Sequence, residues 1–159
     1  MRAHKFSLVW FGHSTTALST LRGRYIGSEK LDGNRCADLP SKAEAAVRKL
    51  GQINMGKAKV LRKYLLEMTE VITEMDRVLK PGKAAVIVVG PSLMRGLEIL
   101  THEYLAEIGE AIGFRVAGIQ KRKIDRDRRM LPVSFGRNGD SMIEQRMHEE
   151  FVVGLVKDS

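Results

Sequence analysis

Between residues 57 and 79, apolar side chains return every three or four positions: Leu61, Leu65, Met68, Ile72, Met75 and Leu79. Tyr64, Val71 and Val78 widen the stripe, while Arg62, Glu67, Glu70 and Arg77 fall on the other side. That period predicts a helix with one buried face. Pro81 forces its end, because proline lacks an amide proton and restricts the residue before it, and Gly82 permits the turn. Ala84 to Val89 follows with no polar alternation, which predicts a central, parallel strand covered by helices on both sides. Leu97, Leu100, Tyr104, Leu105, Ile108 and Ile112 predict a second amphipathic helix, closed by Gly113 in a C-cap position. Phe114 to Ile119 and Phe151 to Val156 read as two further strands. A hairpin-like excursion, Gln120 to Glu150, lies between them and holds the densest charge in the chain.

The first forty residues lack this regularity. A short apolar patch (Phe6, Leu8, Val9, Trp10, Phe11) ends at Gly12, and the Gly, Asp and Asn residues that follow mark turns. This pattern predicts a short helix or strand, then a long, mobile, basic loop. Ser41 and Glu44 have capping-box spacing and predict a short helix running to Leu50 and stopping at Gly51.

Composition narrows the function classes. The chain of 159 residues is long enough for one domain with a core, and no stretch approaches the ~20 apolar residues of a membrane helix. No signal-peptide pattern opens it, and Cys36 is the single cysteine. An intrachain disulfide and a thiolate metal cluster are therefore excluded, and a reducing, cytoplasmic setting is expected. Twenty-seven Lys+Arg against nineteen Asp+Glu give a net charge of +8. Such a surface attracts polyanions, because each phosphate contact releases condensed counterions. His4, His13, His102 and His148 are scattered without metal-ligand spacing, and His102, beside Glu103, is expected at the surface.

The order helix, strand, helix, strand, excursion, strand resembles the C-terminal half of class I S-adenosylmethionine-dependent methyltransferases. The resemblance is strongest to the amino-methyltransferases of DNA (N4-cytosine, N6-adenine) or RNA bases. It rests on four stretches: Met75-Asp76-Arg77-Val78-Leu79-Lys80-Pro81-Gly82-Lys83 leading into Ala84–Val89; Leu105 to Phe114 with its Ile112-Gly113-Phe114 turn; Arg129-Met130-Leu131-Pro132 with Glu149 to Lys157; and the opening Arg2 to Gly12. The resemblance implies an α/β fold, the C-terminal part of a Rossmann-like methyltransferase sheet. Three strands are expected, the last antiparallel, flanked by helices. Residues 1–40 are expected to form an irregular basic segment following the catalytic motif, and residues 41–159 the C-terminal half of the α/β domain.

The departures matter as much. The family holds its methyl donor with a Gly-rich turn after the first strand and an acidic residue ending the second, and neither pattern is in this sequence. The family's Asp/Asn/Ser-Pro-Pro-Tyr/Phe tetrapeptide is also absent, since Pro40, Pro81, Pro91 and Pro132 are not adjacent. Enzymes that act on a paired base flip it into such a pocket. The resemblance places Met1 just downstream of that tetrapeptide, so a truncated frame or an internal start is expected. No catalytic, donor-binding or metal-ligating residue is assigned, and S-adenosylmethionine is a cofactor of the family whose site is not in this chain.

The expected partners are DNA or RNA, with the missing N-terminal half as a separate chain in a split enzyme; no membrane is expected. A small basic nucleic-acid-binding protein without catalysis is the competing reading. Candidate contacts are Arg2, Lys5, Arg22 and Arg24 at the mouth of a substrate cleft, and Ser92 at the carboxyl end of a strand, the usual ligand side of an open α/β sheet. Lys121, Arg122, Lys123, Arg126, Arg128 and Arg129 set six positive charges against Asp125 and Asp127, suited to binding phosphates. A solvated loop with internal Asp–Arg pairs accounts equally well for that run.

Overall fold

The computed structural model describes residues 5–23, 25–28, 37–124 and 149–158. The chain divides into two compact units, residues 1–71 and 72–159, with the division inside one long helix.

The first unit is helical among its described residues. Helix α1 spans Lys5–Trp10 and α2 spans Thr15–Arg22. The sequence pattern predicts a loop where α2 stands. Ser14 starts the helix instead: its side chain accepts a hydrogen bond from the Ala17 amide at 3.1 Å, satisfying one of the donors a helix start leaves orphaned. Helix α3, Ser41–Ile53, buries Ala43, Ala46, Val47 and Leu50, a stripe at helical spacing. It runs past Gly51 to a cap at Asn54, beyond the expected stop. Pro40, not Ser41, holds the cap position, and Glu44 pairs with Arg62 and Arg48. Helix α4, Met55–Val78, buries Ala58, Leu61, Leu65, Leu66 and Ile72. Within the first unit, Glu67 accepts from the Gly27 amide at 3.0 Å, and Lys63 donates to the Ser28 hydroxyl at 2.7 Å.

In the second unit a three-stranded sheet has the order β1-β5-β4: β1 is Ala84–Val89, β4 is Phe114–Lys123 and β5 is Glu149–Lys157. Strand β5 runs antiparallel to both neighbours, so β1 and β4 run in the same direction. Helix α5, Thr101–Ile112, covers one face of the sheet. There Leu105, Ile108, Phe114, Val153 and Leu155 are buried, each such side chain contributing about 2 kcal/mol as an upper estimate.

Two expectations for this unit are corrected. Strand β1 is neither parallel to its neighbour nor buried on both faces: among the described residues it pairs with β5 alone, at the edge of the sheet, and within the strand only Ile87 is buried. Val86 and Val88 lie 63% and 48% exposed, on the face that α5 does not cover. The second helix begins at Thr101, not Leu97. Ser92–Met94 (β2) and Leu97–Ile99 (β3) form a small hairpin instead. Its turn is Arg95-Gly96, with φ of 53° and 81°, the left-handed pair that matches the twist of a two-residue hairpin.

Candidate nucleic-acid interface

The register fixes which residues share one end of the sheet. Val89 pairs with Phe151, and Phe151 with Lys121. The carboxyl ends of β1 and β4 therefore flank the amino end of β5. The β2–β3 hairpin leaves from there, and β4 ends there in Lys121-Arg122-Lys123. The amino end of α5 is at the same place, because the His102 ring stacks on Phe151 with centroids 3.6 Å apart and planes 6° from parallel. Ser92, Lys121, Arg122 and Lys123 are thus brought to one end of one unit.

The charge there is smaller than the sequence suggests. Lys121 pairs with Glu149, and Arg122 with Glu150, across the strands. These pairs are half-exposed, so each is a weak contribution to stability. They nonetheless hold two of the three cations against carboxylates, and Lys123 extends beyond them, exposed. Ser92 is half-buried in β2 opposite Ile99 rather than in an open turn.

Arg2, Arg24, Arg126, Arg128 and Arg129 lie outside the described residues. Lys5 and Arg22 begin α1 and end α2, in the first unit rather than the second.

His102, which the sequence sets at the surface, is instead 7% exposed. Its Nδ1 is buried with no hydrogen-bond partner, an arrangement that disfavours a charged ring. Burial lowers its pKa, while the carboxylates of Glu103 and Glu98 oppose that shift. Helical spacing from Tyr104, Leu105 and Ile108 is the signal that could have found it, since position 102 sits next to that stripe.

The first unit holds a cavity of about 480 Å³ lined by Asp38, Leu39, Ser41, Glu44, Ala45, Arg48 and Arg62. Arg62 bridges Glu44 and the Ala37 carbonyl, the latter at 2.8 Å. Two arginines face two carboxylic residues, so the cavity has no preference for ligand charge. Sequence reasoning sets Arg62 on a solvated face and misses it.

Among the described residues, β1 leads into a hairpin and no strand turns through glycines into a helix. No group of three or more His, Cys, Asp or Glu among them is placed to hold a metal ion. No described helix is long and apolar enough to cross a membrane.

No protein-family model matches the sequence, and no curated protein matches it. Two solved structures are similar, both of a candidate DNA modification methylase from Thermus thermophilus. The first, a selenomethionine derivative, is 22% identical with a TM-score of 0.45, over 62% of this chain and 38% of that one. The second, in complex with S-adenosyl-L-methionine, is 21% identical with a TM-score of 0.45, over 64% of this chain and 40% of that one. The chain thus spans about two fifths of the length of the solved proteins it resembles.

Proposed function

We propose that this chain is the C-terminal part of an S-adenosylmethionine-dependent nucleic-acid base methyltransferase, DNA in preference to RNA, and that it supplies phosphate contacts without the donor site. The supporting observation is the sheet: its last strand lies antiparallel between two strands that share a direction, with α5 connecting β3 to β4 on one face. The resemblance drawn from the sequence implies such a final antiparallel strand. In this reading residues 1–40 follow the catalytic motif, residues 41–159 form the C-terminal half of the α/β domain, and the chain alone transfers no methyl group. Lys121, Arg122 and Lys123 sit at the carboxyl end of the sheet, and they would meet phosphates and fix the register of the nucleic acid.

A second reading is a small basic nucleic-acid-binding protein without catalysis, which the net charge of +8 suits. Both readings expect duplex binding that weakens steeply with salt. Calorimetric titration of S-adenosylmethionine into the purified chain, alongside fluorescence anisotropy with duplex DNA and with RNA, tests the proposal. Salt-dependent DNA binding without donor heat is the expected result. Saturable donor binding would overturn the assignment of the donor site outside this chain. Restored methyl transfer on adding a chain that carries the Gly-rich and Pro-Pro motifs separates the first reading from the second.

A further inference from the structure

Arg95, at the turn of the β2–β3 hairpin, differs from the other described arginines of its unit in two ways. It is the one non-glycine residue with positive φ among the described residues, at 53°, where asparagine or glycine would sit with less strain. It is also unpaired. Arg77, Arg115 and Arg122 each hold a carboxylate, whereas Arg95 has no hydrogen bond or ion pair among the described residues. Strain kept at one residue points to what its side chain does.

The hairpin presents this arginine. Ile99, 1% exposed, anchors its base, while Leu93, Arg95, Gly96 and Glu98 are exposed. Leu93 is 73% exposed, and Glu98 lies opposite it in the ladder. The hairpin leaves β1 at the end of the sheet where β4 ends in Lys121-Arg122-Lys123. In the proposed reading the rest of the sheet joins beside β1. The hairpin lies beyond the strand ends instead, the side on which open α/β sheets take their ligands.

We infer that the β2–β3 hairpin enters the major groove of duplex DNA and that Arg95 reads a guanine there. This inference rests on the proposed function and gives that interface a residue that tells bases apart. A two-stranded ribbon fits the major groove, about 12 Å wide, and the guanidinium fork matches guanine O6 and N7. A phosphate contact needs only a mobile cation, which Lys123 already supplies, and gains nothing from a fixed left-handed turn. The neighbours of Arg95 also suit base edges. Leu93 is apolar and can meet a thymine methyl group, while the Glu98 carboxylate repels phosphate but can accept from a base amine. A-form RNA closes its major groove to side chains, so the geometry selects DNA.

Selection of duplexes from a random-sequence DNA pool by the full chain, followed by sequencing, tests it. An enriched guanine is expected at one position. Arg95→Asn should lower the preference for that guanine roughly 5- to 150-fold, with a urea midpoint no lower than that of the parent, so that misfolding does not account for the loss. Lys123→Gln should weaken all sequences alike, reduce the salt slope by about one, and leave the guanine enriched. A parent that binds duplexes without base preference would overturn the inference and leave the proposed function standing. So would an Arg95→Asn variant that weakens every sequence alike, which places Arg95 on a phosphate. A parent that binds no duplex would overturn both.

Discussion

A Cβ on Gly109 would stand 2.8 Å from Cδ2 and 3.0 Å from Cδ1 of Leu155, which is itself fully buried. Any larger residue at 109 would therefore have to displace the Leu155 methyls. Gly109→Ala gains helix propensity of roughly 1 kcal/mol, but overpacking a closed core costs roughly 1–3 kcal/mol. Net destabilisation of about 1 kcal/mol is expected in urea unfolding. Leu155→Val shortens the side chain by one carbon and takes away both crowding Cδ methyls, so the double variant should recover part of the loss, a coupling that a mutant cycle measures. Additive losses would show that the contact does not set the helix–sheet distance.

The stack of His102 on Phe151 makes stability depend on pH in a stated direction. Burial lowers the folded-state pKa of His102 below the ordinary 6.5. The unfolded chain therefore binds the extra proton first as pH falls. Stability is fully present above the unfolded value and is lost as pH drops through the folded one. Among the described residues, the charges that act on the ring are the carboxylates of Glu103 and Glu98. His102→Phe keeps an aromatic face for Phe151 and removes the proton site, so its stability curve between neutral and mildly acid pH should be flatter. A curve as steep as that of the parent would assign the dependence to other groups.

Arg95 holds a φ of 53° in the turn between β2 and β3, a conformation that costs most side chains free energy. Asparagine tolerates it, and Asn-Gly is the favoured pair for this hairpin. Arg95→Asn should raise stability by about 0.5–1 kcal/mol, read as a higher urea midpoint with an unchanged slope.

Glu149 and Glu150 hold Lys121 and Arg122 in cross-strand pairs. Replacing both by glutamine frees two cations for phosphates. Duplex binding should tighten, and the slope of log affinity against log salt should steepen by about one unit for each freed cation. Anisotropy titrations at several salt concentrations give the slope. An unchanged slope would place the phosphate contacts away from this end of the sheet.

The pattern of apolar residues was enough for the elements whose burial is local and periodic. The sequence reading of a helix over 57–79 corresponds to Met55–Val78, the strand it places at Ala84–Val89 has those bounds, and Gly113 caps α5 as its position suggests. Such elements carry their own signal, because a helix or strand must repeat apolar residues at its own period to bury a face. What pairs with what is not in that signal. An apolar run reads alike in a central strand and in an edge strand, so only the register with β5 revealed that β1 has one neighbour among the described residues and an exposed face. The hairpin at Ser92–Ile99 arises from a left-handed Arg95-Gly96 pair that no hydrophobic period marks. Burial of His102 depends on Phe151 from a distant strand, and the cations at the end of β4 are offset by carboxylates that only strand pairing brings across. The sequence by itself determined the periodic elements, such as α4 and β1, and the net positive charge. The tertiary structure decided which faces and charges remain open to a partner, because exposure is set by neighbours remote along the chain.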